Sequence, residues 1–157
     1  MKKTNAVRKL DSMKLLYRLK SFVVDESDLS AERAAELLGS PLEQVFKTLI
    51  ARGDKSGIIV VSIPGGSELD LKALARLSGN KSVEMVPLKE VQPLTGYVRG
   101  AVSPLGMKNS YPCFIDESAF SYPEIIISAG LRGLQIELDP RDLVLAAAAH
   151  SGKLIRA

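Results

Sequence analysis

Apolar residues recur at helical spacing in the opening segment, where Ala6, Leu10, Met13 and Leu16 share one face behind a capping Thr4. Basic residues take the other face, and the pattern predicts an amphipathic helix over 4–16. Tyr17 to Val24 alternates instead and ends in Asp25-Glu26-Ser27-Asp28, which reads as a strand entering a solvated polar turn. Ser30 can cap a short helix through Ala34, Ala35 and Leu38, and Gly39 stops it. Ser40-Pro41-Leu42-Glu43 then combines a capping serine, a proline at the first helical position and a glutamate three residues after the cap. A new helical turn is expected there.

The β-branched and aromatic run from Val45 to Arg52 predicts a strand, closed by Gly53-Asp54 and paired as a hairpin with a second strand over Gly57 to Ile63. Pro64-Gly65-Gly66 breaks the chain, Ser67 is placed to cap a helix over 68–77, and Gly79-Asn80 ends it. Ser82 to Val86 reads as a short strand and Leu88 to Leu94 as a short helix. Residues 95–106 are punctuated by glycine and fit neither period. Strands follow at Tyr111 to Asp116, Glu124 to Ser128 and Leu134 to Leu138, and Asp139-Pro140 opens a last helix. With no repeat, linker or low-complexity tract, the expectation is one domain over 1–157, of α/β class, with a mixed sheet and peripheral helices.

Composition narrows the chemistry. At 46% hydrophobic and 25% charged residues, a 157-residue chain can bury a substantial core. No apolar run approaches the roughly 20 residues of a membrane helix, and the charged start MKKTNAVRKL lacks a signal-peptide core, so a cytoplasmic location is expected. The single cysteine, Cys113, and single histidine, His150, exclude an intrachain disulfide framework and a Cys/His zinc site. In AAAAHSGKL, His150 reads as a helix C-terminal cation rather than a catalytic base. Cys113, between Pro112 and Phe114, reads as a small core residue rather than a nucleophile. The carboxylates form no recognisable pair. A net charge of +3 biases the chain mildly towards polyanions, while the basic residues Lys2, Lys3, Arg8 and Lys9 suit a solvated helix face better than phosphate contacts.

Lys47 interrupts the apolar strand Val45-Phe46-Lys47-Thr48-Leu49. It either faces solvent from an edge or enters a cleft, where its ammonium would be a point charge for a phosphate or a developing oxyanion. The loop with Gly96, Gly100 and Gly106 around Ser103-Pro104 lets backbone approach a ligand closely, yet lacks the P-loop ending and the dinucleotide fingerprint. Gly130 and Gly133 either line the same cavity or simply serve a hairpin turn.

Taken in order, Val45-Phe46-Lys47-Thr48-Leu49, the run from Thr95 to Gly106 and Ile127-Ser128-Ala129-Gly130-Leu131-Arg132-Gly133-Leu134 resemble the YbaK/EbsC family of aminoacyl-tRNA deacylases, relatives of the prolyl-tRNA synthetase editing domain. The resemblance spans nearly the whole chain. It implies a barrel-like mixed sheet, a mischarged tRNA as substrate, and no metal or organic cofactor. Lys47 matches the family's essential lysine, and Gly100 to Pro104 match its Gly-x-x-x-Pro loop, with Gly100 against the reacting ester. Phe22, Thr48, Ser103, Pro104, Gly106 and Gly130 are the implied substrate-binding residues, Phe22 standing where some members have tyrosine. Members with this loop are similar to those that remove cysteine from tRNA(Pro), with prolyl-tRNA synthetase as a transient partner. An aminoacyl ester is already activated, so orientation and charge suffice, and a cysteinyl thiol can serve as nucleophile. The competing readings are a deacylase of alanyl-tRNA(Pro) or another aminoacyl-tRNA, and a silent binder of charged tRNA ends or nucleotides.

Overall fold

The computed structural model describes residues 3–157, so Lys2 lies outside the described residues. Helix α1 (Asn5–Ser12) starts as expected, with Thr4 Oγ1 accepting from the Val7 amide at 3.2 Å and Ala6, Val7 and Leu10 buried. It ends early because Lys14 takes φ 58° and the Leu15 amide turns back to Leu10 O. The basic face is solvated, and Lys3 is paired with Asp11 at 2.6 Å. Strand β1 (Arg18–Ser21) is shorter than the alternation suggests. Helix α2 (Ala31–Leu38) has the expected ends, Ser30 accepting from the Arg33 amide and Gly39 at φ 68°. Ser40 caps nothing. Its amide closes α2 on Ala35 O, and Leu42–Gln44 is a single 3-10 turn headed by Pro41.

Strands β2 (Phe46–Gly53) and β3 (Gly57–Pro64) form the expected antiparallel hairpin, in register from Phe46 opposite Pro64 to Gly53 opposite Gly57. Helix α3 (Leu71–Ser78) is capped by Asp70 rather than Ser67. The residues before it are drawn into tertiary pairing instead, Leu69 with Ile155 and Glu68 O with the Arg156 amide. Then come β4 (Val83–Met85), α4 (Leu88–Thr95), β5 (Cys113–Asp116), β6 (Ile125–Leu131), β7 (Leu134–Leu138), α5 (Pro140–Ala147) and β8 (His150–Gly152). The helix-terminal reading of His150 is corrected here. Helix α5 stops at Ala147, Ala148 turns at φ 50°, and His150 opens a strand parallel to β5 with its ring 5.9 Å from that of Phe114.

Two sheets result, an antiparallel one ordered β1-β7-β6 and a mixed one ordered β4-β2-β3-β5-β8. The α/β class and mixed sheet stand, but the barrel does not close. A lone parallel bridge, Val45 with Ile126, joins the sheets. The larger core lies where they face each other, built from Phe46, Ile115, Ile125, Ile127 and Ile136. A second core, with Ile59, Val61, Ile63 and Phe114, packs on Leu74 of α3. Strand β3 is buried along most of its length, as its continuous apolar run requires. No helix among the described residues is long and apolar enough to cross a membrane.

Candidate functional site

Strand β4 pairs only with the Ala51 to Gly53 end of β2. The other end, carrying Lys47, borders a cleft of about 520 Å³. Its walls are the segment from Phe22 to α2, the start of β2, the loop at Arg99 to Val102, and Ser128, Arg132 and Gln135 of the β6–β7 hairpin. Lys47 is half-buried there, and among the described residues no carboxylate lies within ion-pair distance of its ammonium. The wet-edge reading of Lys47 gives way to the cleft reading. Thr48 shares the lining, its hydroxyl 3.1 Å from Ser62 Oγ, and Phe22 contributes a half-buried ring. Tyr17 is elsewhere, donating to Asp11 Oδ1 at 2.7 Å.

Gly100 is exposed at the cleft mouth with φ 83°, and a Cβ there would lie 3.2 Å from Leu29 Cβ. The remaining motif residues part from it. Ser103 is fully buried and accepts from the Leu105 amide at 3.3 Å. Pro104 and Gly106 line a different hollow of about 410 Å³, shared with Lys9, Tyr111 and Cys113. A Cβ on Gly106 would fall 2.6 Å from the Ala6 amide nitrogen, so this glycine lets the loop lie on α1. Gly130 makes room for Tyr97, whose ring carbon would be 2.8 Å from a Cβ there and whose hydroxyl donates to Leu105 O at 2.6 Å. These four residues brace the loop and are not among the residues lining the Lys47 cleft, so the structure does not bring them together with Lys47 there.

Other cleft residues carried little sequence signal. Gln135 is only 6% exposed yet lines the cleft, and Ser128 sits opposite it across the β6–β7 ladder. Asp25 and Asp28, expected as a solvated turn, form part of the wall. Asp25 is held below the usual carboxylate range, first by the Ser27 hydroxyl, then by the Ser27 amide and Arg33. Asp28 is lowered chiefly by its hydrogen bonds with Ser30. Both therefore stay ionised at neutral pH. Neither Cys113 nor His150 lines the cleft. Burial pushes the Cys113 thiol up to about 12, the behaviour of an inert core sulfur. Among the described residues no group of three His, Cys, Asp or Glu side chains is placed to hold a metal ion.

Comparisons with known proteins bear on the family and the fold. EbsC of Enterococcus faecalis, named as a candidate Cys-tRNA(Pro)/Cys-tRNA(Cys) deacylase, is 49% identical over 142 residues, covering 90% of this chain and 87% of that protein. A proline–tRNA ligase of Thermosipho africanus is 29% identical over 77 residues, 49% of this chain and 14% of the ligase. A solved structure titled as a candidate trans-editing enzyme for prolyl tRNA synthetase superposes with TM-score 0.83 at 25% identity, covering 99% of this chain and 100% of that one. Residues 25–145 match the model of the aminoacyl-tRNA editing domain, a span that runs from the acidic wall of the cleft through Lys47 and Gly100 to α5. With that match and the likeness to EbsC together, the chain belongs to the aminoacyl-tRNA editing domain family.

Proposed function

We propose that this chain deacylates mischarged tRNA in trans, with cysteinyl-tRNA(Pro) as its substrate. The observation that carries the reading is the two-signed cleft, to which Lys47, Arg99 and Arg132 bring cations and Asp25, Asp28 and Glu32 bring carboxylates. An aminoacyl-tRNA end has matching charges, an α-ammonium beside the ester and phosphates beyond the terminal ribose. The uncommitted Lys47 ammonium stabilises the negative charge that develops on the ester carbonyl oxygen.

No histidine or cysteine among the described residues lines the cleft, and Asp25, the carboxylate beside the Ser27 hydroxyl, is a weak base because its proton affinity is lowered. Ser27 Oγ donates to Asp25, Ser30 Oγ accepts from the Arg33 amide, and Ser128 Oγ accepts from the Gly130 amide. The substrate supplies the nucleophile instead. The cysteinyl sulfur attacks its own carbonyl carbon, a C–S bond forms, the ester C–O bond breaks, and the thiol proton ends on the released ribose hydroxyl. Water then opens the cyclic thioester to cysteine. A net charge of +3 offers little hold on a tRNA body. Prolyl-tRNA synthetase supplies that selectivity in a transient complex, a reading supported by the likeness to proline–tRNA ligases.

The test is single-turnover deacylation of cysteinyl-, seryl-, alanyl- and prolyl-tRNA(Pro) by the purified chain. Cysteinyl ester should be cleaved, prolyl ester spared, and seryl ester cleaved far more slowly, because an alcohol is essentially un-ionised where a few per cent of a thiol is thiolate. Equal cysteinyl and seryl rates would overturn the substrate-thiol mechanism. Binding of charged tRNA without hydrolysis of any ester would overturn the enzymatic reading in favour of a binding module.

A further inference from the structure

Arg132 belongs to the third glycine-punctuated motif, and the chemistry above gives it only a share of the cleft's charge. Its side chain leaves the β6–β7 turn and crosses the cleft mouth. Nε donates to Arg99 O at 2.8 Å, and Nη1 reaches Glu26 Oε2 at 3.4 Å. A Cβ on Gly100 would lie 3.6 Å from the same Nε. One guanidinium thus joins the turn after β1, the Gly100 loop and the β6–β7 turn. Its base is itself anchored, because Gly133 O accepts from the Phe22 amide at 3.0 Å.

The bond to Arg99 O has a directional consequence. In a trans peptide the carbonyl and the following N–H point in opposite directions within one plane. A donor on Arg99 O therefore fixes where the Gly100 N–H points, next to a glycine that would otherwise let the plane rotate. Among the described residues the Gly100 N–H has no protein acceptor, whereas the neighbouring Ala101 N–H is taken by Val98 O at 3.0 Å. A charged donor on the carbonyl also polarises the peptide and makes its N–H a better donor.

We infer that Arg132 is a positioning residue, which orients and polarises the Arg99–Gly100 peptide so that the Gly100 N–H is presented as a fixed donor to the substrate's carbonyl oxygen. The kinetic half of this inference rests on the deacylase reading. The orientation of the peptide does not.

Arg132→Ala and Arg132→Lys test it in the full chain by two readouts. In the free protein, the Gly100 amide NMR resonance should shift and broaden in both variants as the peptide plane is released. In cysteinyl-tRNA deacylation, kcat should fall about ten- to hundredfold with KM within about twofold of the parent. Lysine should not rescue, since its ammonium extends past the Nε position and lacks the planar fork. An unchanged Gly100 resonance in Arg132→Ala would overturn the inference. So would an intact kcat with raised KM, a salt dependence weakened by about one charge and rescue by lysine, which together describe a phosphate contact. If the parent chain deacylates nothing, the deacylase reading falls, while the Gly100 resonance still decides the positioning.

Discussion

The loop from Gly96 to Gly106 borders two hollows, and its halves behave differently in them. On the Lys47 side, Arg99 and Gly100 are exposed, and the atoms nearest a Cβ on Gly100 would be side-chain atoms of Leu29 and Arg132. On the Cys113 side, Ser103 and Leu105 are buried and Gly106 lies against the α1 backbone. The first half keeps backbone available to a ligand, and the second half uses its polar atoms within the protein. Glycines of one motif therefore answer separate needs, an open backbone at Gly100 and close packing at Gly106. Charge follows the same division, since the cleft has both signs while the charged side chains among the described residues around the other hollow are Lys9 and Lys108.

The largest effect should come from Lys47→Ala, which removes an uncommitted cation that β2 presents to the cleft. We expect kcat to fall about 10²- to 10³-fold with the melting temperature unchanged, and near-parental turnover by a folded variant would take Lys47 out of the mechanism. Gly106→Ala should act on the other side of the comparison. Left-handed strain at φ 72° plus the clash with the Ala6 nitrogen should cost about 3 kcal/mol of stability, seen as a lower urea midpoint, while molecules that remain folded keep their turnover. Gly100→Ala should show the reverse pattern, with a stability loss of about 1 kcal/mol but kcat/KM down about tenfold. If the two alanine variants give the same profile, the division of the loop is wrong.

The smallest effects belong to Cys113→Ser and His150→Ala, both expected to deacylate at parental rates in the same assay. Cys113 should still register in stability against pH. The unfolded thiol releases its proton near its ordinary 9.0, whereas burial holds the folded one until about 12. The native state therefore binds more protons across that window, and stability falls as pH rises through it. Cys113→Ser should flatten that alkaline slope in urea titrations.

Local signals in the sequence suffice where local physics decides. The Val45 to Ile63 hairpin follows from a β-branched run and its turn, and Gly39 and Asp139 cap as their types predict. Tertiary pairing overrode the same logic elsewhere. Ser67 loses its helix to Asp70 because Leu69 pairs with Ile155, and the alanine run before His150 gives way to a strand on Phe114. At the site, Lys47 was legible because a charge in an apolar strand is anomalous. Gln135 was not, since its place between Leu134 and Ile136 reads as the outward face, and only the cover beside β7 makes it a wall. Ser103, Pro104, Gly106 and Gly130 lie away from the Lys47 cleft, because neighbours in a motif need not face one cavity.

Helix α2, which walls the cleft from outside, buries Ala35 alone. It rests on Val45 and Ile126 through Ala35 and half-buried Leu38, with Leu42 of the following 3-10 turn beside them, and the Asp25–Arg33 ion pair at 3.0 Å ties its first turn. The opposite wall, β6 and β7, is rooted in the isoleucine core. Segments with little buried apolar contact open at lower free energy than those sharing the main core. The α2 amides should therefore exchange with solvent well before those of β6 and β7. The cleft has a stiff back and a breathing front, and an aminoacylated ribose can be admitted by movement of one short helix while the core stays closed.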